Sequence, residues 1–143
     1  MRLLFDTNVV LDLLLDREPF STRVAAVLSA VEKGELSGYL CATTITTVHY
    51  LASRAVGAKK AKRELGKLLN LFEIAPVNRP VLEAALQSKF PDFEDAVIHE
   101  AALHVGVAGI VTRDIRGFKR ATVSVYSPDE LIQILRRRDK ATE

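Results

Sequence analysis

The sequence predicts an α/β fold, a three-layer α/β/α sandwich around a central, mostly parallel sheet of about five short strands. Short apolar runs alternate with longer segments whose apolar residues recur at a helical period, which is typical of strands connected by helices. The runs are continuously apolar, as expected for strands that are buried on both faces. With 143 residues, 48% of them hydrophobic and 27% charged, residues 1–143 are expected to form a single globular domain.

The predicted strands occupy residues 3–5, 38–42, 73–77, 108–111 and 122–125. The third is expected near a sheet edge, because Pro76 has no N–H to donate to a neighbouring strand. The first strand stops at a polar turn, where Thr7 or Asn8 is predicted to cap the following helix.

Segments with helical periodicity are predicted over residues 9–15, 20–31, 45–52, 58–72, 78–86, 93–105 and 128–137. Gly34 is expected to end the second helix in the left-handed conformation. The last helix carries the clearest start signal, with Ser127 as the cap, Pro128 in the first position and Glu130 completing a capping box.

Composition excludes some classes of function and leaves others open. The formal net charge is +2, so global charge alone does not predict nucleic-acid binding. The single cysteine, Cys41, excludes an intramolecular disulfide and is expected to be a small core residue. A disulfide-free chain without a secretory leader or an apolar run long enough to cross a bilayer favours the cytoplasm.

Acidic residues follow two of the predicted strands. Asp6 follows the first and Asp114 the fourth, while Asp92 and Asp95 open the helix that leads into the fourth. If the first and fourth strands are neighbours at a topological switch point, these carboxylates face one crevice. Clustered carboxylates repel one another unless a hard cation such as Mg²⁺ or Mn²⁺ lies between them. Alternatively, Asp92 and Asp95 form a helix capping box, Asp6 is a turn residue that caps a helix, and Asp114 is an ordinary turn residue.

Three segments, in this order and at these spacings, resemble the motifs of a PIN domain in the style of the small prokaryotic VapC-type toxins. They are Phe5-Asp6-Thr7-Asn8-Val9, Asp95-Ala96-Val97-Ile98 with Ala101-Ala102, and Ile110-Val111-Thr112-Arg113-Asp114 with Phe118. The resemblance implies a metal-dependent ribonuclease that is often dimeric and often paired with an antitoxin. It further implies Asp6, Asp95 and Asp114 as catalytic residues that bind Mg²⁺ or Mn²⁺, with Asp92 as a supplementary ligand and Asn8 and Thr112 as supporting residues.

The sequence departs from the family pattern at one position. An acid usually follows the second strand in a pattern such as Ile-Thr-x-x-Glu, whereas here Ile45-Thr46-Thr47-Val48 is followed by His49. His49 is either a supporting residue in a variant site, a helix residue without a chemical role, or the mark of a weakened site that binds RNA or protein without cleavage. Asp12 either substitutes for the missing acid or is a solvated acid on the first helix.

Basic residues past the fourth strand are the predicted RNA phosphate contacts, namely Arg113, Arg116, Lys119 and Arg120. The lysines from Lys59 to Lys67 and the run from Arg136 to Arg138 are expected to be solvated helix faces. His99 is expected to be a core or partly buried histidine, and His104 is assigned no role. The apolar residues between Phe20 and Phe72 are numerous enough to serve a homodimer interface as well as a core.

Two other classes of protein, phosphoacceptor receivers and aspartate-nucleophile phosphatases, also place acids at strand ends, and the sequence disfavours both. A phosphoacceptor receiver needs a second acid beside Asp6 and a lysine after the last strand, where Tyr126 and Ser127 lie. An aspartate-nucleophile phosphatase needs an aspartate two residues after the first, and Asn8 occupies that position.

Overall fold

A computed structural model, which describes residues 1–142, confirms the α/β/α sandwich and the parallel sheet. Its strands are β1 (Arg2–Phe5), β2 (Ser37–Cys41), β3 (Glu73–Ala75), β4 (Gly109–Val111) and β5 (Ser124–Tyr126). They form one sheet in the order β3-β2-β1-β4-β5, and every pairing is parallel. The chain therefore builds outward from β1 on one side and then returns to build β4 and β5 on the other.

Within residues 1–142, seven helices connect and cover the strands of this sheet. They are α1 (Thr7–Leu14), α2 (Phe20–Glu32), α3 (Ala42–Val56), α4 (Ala58–Leu71), α5 (Arg79–Gln87), α6 (Phe93–Val105) and α7 (Pro128–Thr142). A short 3₁₀ turn, Arg116–Phe118, lies between β4 and β5.

Two hydrophobic cores lie on opposite faces of the sheet. Leu3 and Phe5 of β1 join the core formed with α1, α2, α3, α4 and α7, whereas Leu4 joins the core formed with α5 and α6. This split follows from the alternation of side chains along a strand. Cys41 is fully buried in the second core, as predicted.

The order of the strands changes direction between β1 and β4, as the crevice hypothesis required. Phe5 pairs with Val111, and the N–H of Asp6 donates to the Val111 carbonyl at 2.9 Å. The residues that follow these two strands, Asp6 and Thr112, are therefore brought side by side at the carboxyl edge of the sheet.

Several boundaries differ from the predictions. The helix after β1 begins at Thr7 with Asp6 as its cap, so the prediction that Thr7 or Asn8 caps it was wrong. β3 lies at an edge but ends before Pro76, and β5 begins two residues later than predicted. Gly34 has the predicted positive φ, at 77°. Among the described residues, no helix combines the length and the apolar character needed to cross a bilayer.

Candidate active site

Asp6 lies at the base of the crevice with its carboxylate fixed by two hydrogen bonds. Its Oδ1 accepts from the Thr7 N–H at 2.8 Å, and its Oδ2 accepts from the Thr112 hydroxyl at 2.7 Å. The residue is only 5% exposed, and within residues 1–142 no lysine, arginine or histidine pairs with it. Asp6 is thus a buried acid with oriented oxygens and no cationic partner.

Thr112 is the centre of the hydrogen-bond network around Asp6. Its buried hydroxyl donates to Asp6, accepts from the Asp114 N–H at 3.0 Å and contacts the Asn8 amide nitrogen at 3.4 Å. The Asn8 carbonyl oxygen accepts from the Arg113 N–H at 3.3 Å. Within residues 1–142 no hydrogen bond joins Asn8 to Asp6 directly; Asn8 contacts Thr112, which in turn donates to Asp6.

Gly117 sits between the other two predicted acids. Its N–H donates to Asp114 Oδ1 at 3.1 Å. A Cβ placed on this glycine would lie 2.5 Å from Asp114 Oδ2 and 3.2 Å from Asp95 Oδ2. The two carboxylates therefore crowd the same small space, and that space exists only because residue 117 has no side chain.

The carboxylates of the crevice interact electrostatically. Burial raises the pKa of Asp6, and nearby Glu94 and Asp114 raise it further, against the lowering effect of the hydrogen bonds from Thr112 and Thr7. Burial, followed by repulsion from Asp6, Asp92 and Asp114, raises the pKa of Asp95 to about 7. These shifts express the cost of collecting negative charge in one place without a cation.

Sequence reasoning overlooked Glu94, which adds a further negative charge to the crevice. Glu94 raises the pKa of both Asp6 and Asp95. Its Oε1 lies 3.5 Å from the hydroxyl of Thr47, which places α3 next to this acid. Its position beside Asp95 in the first turn of α6 was the available signal, but a first-turn acid is also ordinary.

In the described part of the chain, His49 forms no hydrogen bond or ion pair with the crevice acids. Its Nε2 is buried and lacks a hydrogen-bond partner there. His99 is buried in the core, as predicted, and His104 bonds to the Glu100 carbonyl of its own helix.

Asp92 caps α6, as the capping alternative proposed. Its Oδ1 accepts from the Asp95 N–H at 2.9 Å, and the residue is exposed. Because it is exposed and bonds to the backbone of Asp95, Asp92 lies at the rim of the crevice, and its charge helps to raise the pKa of Asp95.

The predictions for Asp12 and Arg113 require correction. Asp12 is 1% exposed and forms ion pairs with Arg17 at 2.9 Å and with Arg113 at 2.7 Å. It is therefore neither a solvated acid nor an unpaired substitute for the missing one. Arg113 donates twice to Asp12 and stacks over the Phe20 ring at 4.1 Å, so it is not a free phosphate contact.

The remaining predicted cations lie together beside Asp114. Arg116, Lys119 and Arg120 line a pocket of about 430 Å³ with Lys89, Pro91, Asp114 and Gly117. The sequence did not single out Lys89, because it is an isolated cation in the connection between α5 and α6.

The donor set fits a hard cation better than a soft one, since the crevice offers carboxylate oxygens. Among the residues described, no three Asp, Glu, His or Cys side chains converge closely enough to form a complete ligand set. Mg²⁺ tolerates such a site, because it usually retains several waters and binds one or two carboxylates directly. The residues that could hold such an ion are Asp6, with its oriented oxygens, and the crowded pair Asp95 and Asp114.

Comparisons with known proteins support the same family. A sequence model of the PIN domain matches residues 2–116. Ribonuclease VapC1 of Aquifex aeolicus (strain VF5) is 28% identical over 132 residues, which span 87% of this chain and 83% of that protein.

Solved structures share the fold. FitAcB from Neisseria gonorrhoeae has a TM-score of 0.67 at 27% identity, covering 88% of this chain and 97% of its own. DNA-bound VapBC from Salmonella typhimurium has a TM-score of 0.70, covering 90% and 98%; at 12% identity it shows likeness of fold alone. Because the PIN match covers most of the sequence and includes Asp6, Asp95 and Asp114, the chain belongs to the PIN domain family.

Proposed function

We propose that this protein is a metal-dependent ribonuclease that hydrolyses RNA phosphodiesters endonucleolytically. The observation that carries the proposal is the close approach of Asp95 and Asp114 beside Gly117, with Asp6 joined to Asp114 through Thr112 and none of the three acids paired with a cation within residues 1–142. The likeness to Ribonuclease VapC1 supports it, and so does the pocket of unpaired cations beside Asp114.

In this proposal, Asp6, Asp95 and Asp114 are the catalytic residues that hold Mg²⁺ or Mn²⁺. A bound divalent cation would supply Lewis-acid activation of water and neutralise charge on the phosphate. Thr112 fixes the orientation of Asp6 directly, and Asn8 fixes the position of Thr112. Such hydrogen bonds matter because the residues that bond to a metal ligand set the orientation and the basicity of that ligand.

The outer residues have smaller parts in this proposal. Asp92 contributes charge at the rim while it caps α6. Arg116, Lys119 and Arg120 contact RNA phosphates, because they are exposed and lie at the same end of the crevice as Asp114. We assign His49 a place in helix packing, with Glu94 as the acid that keeps the crevice negative.

The proposal is tested by incubating single-stranded RNA with the purified chain and Mg²⁺ or Mn²⁺, beside an EDTA control. We expect cleavage that EDTA abolishes and that Asp6→Asn lowers more than about 100-fold, since even partners of metal ligands contribute 10- to 100-fold. Glu35→Gln, which removes an exposed acid elsewhere, should leave cleavage unchanged. Mn²⁺ binding measured by calorimetry should weaken in the Asp6 variant only.

A folded chain that binds RNA and Mn²⁺ but does not cut would instead support the non-catalytic alternative, a PIN fold with a weakened site. The absence of an acid at residue 49 is the sequence feature behind this alternative. Rescue of cleavage by His49→Glu would then identify that position as the cause.

We further propose that the protein is the toxin of a toxin–antitoxin pair and acts in the cytoplasm, where its buried Cys41 stays reduced. Relatives of the same fold are described as toxin–antitoxin complexes, including one from Klebsiella pneumoniae. A groove of about 590 Å³ is a candidate surface for an apolar antitoxin segment; its apolar lining is Leu13, Leu14, Leu28, Leu68 and Leu71. Co-expression with a neighbouring antitoxin should suppress toxicity, and persistent toxicity would contradict the pairing.

A homodimer through residues 20–72 remains part of the proposal. Tyr50, Leu51 and Leu69 of this region are large apolar residues exposed in the single chain. Light scattering that gives the mass of one chain at assay concentration would contradict a dimer.

A further inference from the structure

The pocket beside Asp114 has two basic walls that come from different parts of the chain. Lys89 and Pro91 line one wall from the connection between α5 and α6. Arg116, Lys119 and Arg120 line the other from the connection between β4 and β5. The pocket is therefore a tertiary feature and not a run of basic sequence.

The cations of this pocket differ from the arginines that form ion pairs elsewhere in the described chain. In the described part of the chain, Lys89, Arg116, Lys119 and Arg120 take part in no ion pair. Elsewhere, Arg17 and Arg113 pair with Asp12, and Arg23 pairs with Asp129. Four exposed cations around one cavity attract an anion, since each remains free to neutralise it.

An aromatic stack beneath the pocket fixes the spacing of the two walls. Phe90, between Lys89 and Pro91, packs edge-to-face on Phe118 with ring centroids 5.9 Å apart. Phe118 itself lies between Gly117 and Lys119 and is 2% exposed. The rings point into the core, so their chain neighbours are left to face the pocket.

His99 extends this support from the core. Its ring lies 4.9 Å from the Phe90 ring, and its Nε2 accepts from the Thr122 N–H at 3.1 Å. This bond anchors the chain just past Arg120. The stack thus ties α6 to both basic walls.

The chemistry of the lining indicates which part of a nucleic acid fits. The described lining of this pocket contains no aromatic side chain, so it offers no surface on which a base could stack. Lysine and arginine side chains suit phosphate oxygens. Asp114 at the rim disfavours an anion at that edge, which confines a phosphate to the side near the cations.

We infer that this pocket is a phosphate subsite in which Lys89 and the 116–120 segment hold the RNA backbone next to the acidic crevice without recognising bases. The inference rests on the proposed ribonuclease function and adds Lys89 as a substrate-binding residue. It predicts that the subsite positions the strand through charge alone, so its contribution is the same for every RNA sequence.

The test measures binding of fluorescent single-stranded RNA by anisotropy over a series of KCl concentrations. Asp6→Asn serves as the background so that the RNA stays intact, with Mg²⁺ present. Lys89→Gln should weaken binding several-fold and reduce the steepness of log K against log[KCl] by about 0.7, the value for one phosphate contact on a single strand. The loss should be equal for adenine-rich, uracil-rich and cytosine-rich strands.

Lys62→Gln is the matched control, because Lys62 is an exposed lysine on α4 over the opposite face of the sheet. If Lys89→Gln and Lys62→Gln behave alike, or if the Lys89 effect depends on the bases, the subsite is refuted. Continued RNA cleavage by the Asp6→Asn background would instead refute the proposed active site. The two failures are therefore distinguishable.

Discussion

Asp6 caps the start of α1 and Asp12 lies in its last turn. Both acids are buried, but their charges are balanced differently. Asp12 is held by two arginines, Arg17 and Arg113. In the part of the chain that the structure describes, Asp6 receives hydrogen bonds only from the neutral donors Thr7 and Thr112, and other acids lie nearby. One carboxylate is part of the scaffold, while the other is kept unpaired in a crevice.

The difference shows how a functional acid can be distinguished from an acid in a structural ion pair. A buried charge is costly unless it is paired, so the unpaired one needs a functional explanation. Asp12 also holds Arg113 away from the role suggested by its place beside Asp114. Counting charged residues near a motif would have missed this distinction.

The largest expected effect comes from neutralising the two acids separately. Asp12→Asn should lower the free energy of unfolding by about 2–3 kcal/mol, because it leaves two arginines without their buried partner. The loss is below the usual range for a broken buried pair since both arginine side chains are partly exposed. Asp6→Asn should change stability by less than about 1 kcal/mol, because asparagine still caps α1 and repulsion is relieved. Urea unfolding in EDTA at pH 8 measures both.

Equal losses of unfolding free energy in the two variants would contradict the proposed difference between these acids. Cleavage assays on the same proteins test this difference further. Asp6→Asn should be stable and inactive, whereas Asp12→Asn should be less stable but active at a temperature where it remains folded.

A second prediction concerns the space between Asp95 and Asp114. Gly117→Ala should weaken Mn²⁺ binding and slow cleavage by about 10- to 100-fold, because the new methyl group would displace both carboxylates. Gly66→Ala is the control, since nothing lies within 4 Å of its added Cβ in the middle of α4. It should stabilise the chain by up to about 1 kcal/mol and leave metal binding intact. Unchanged Mn²⁺ affinity in Gly117→Ala would show that the glycine does not set the geometry of the acids.

The smallest expected effect is the pH dependence of stability without metal. The pKa of Asp95 is raised from 3.8 to about 7 in the folded chain. Between these pH values the folded state retains a proton on Asp95 that the unfolded state has lost. The stabilising contribution of this proton is complete below pH 4 and is lost as the pH rises through 7. The decline attributable to this half-exposed carboxylate should be less than about 1 kcal/mol.

This pH effect is measured by urea unfolding at pH 5 and pH 8 in EDTA. Asp95→Asn should reduce the difference in stability between the two pH values, while Glu35→Gln should preserve it. A wild-type chain that becomes more stable from pH 5 to pH 8 by the same amount with or without Asp95 would contradict the predicted repulsion.

The sequence by itself determined the sheet, the helices and the principal acids. Apolar runs identified every strand to within a few residues, and the acids that follow two of these strands predicted a shared crevice. These features were readable because strand burial and helix periodicity are encoded locally. The cap of α1 was misassigned by one residue, since Asp6, Thr7 and Asn8 are all good caps.

Only the tertiary structure decided which charges are paired. Asp12 pairs with Arg113, and Lys89 lines one pocket with Arg116, Lys119 and Arg120, although these residues are far apart in the sequence. No local pattern encodes such proximity. The same holds for Gly117, whose importance comes from the carboxylates around it. Local sequence sets which backbone conformations are favourable, whereas the partner of a charge depends on which elements the fold packs together.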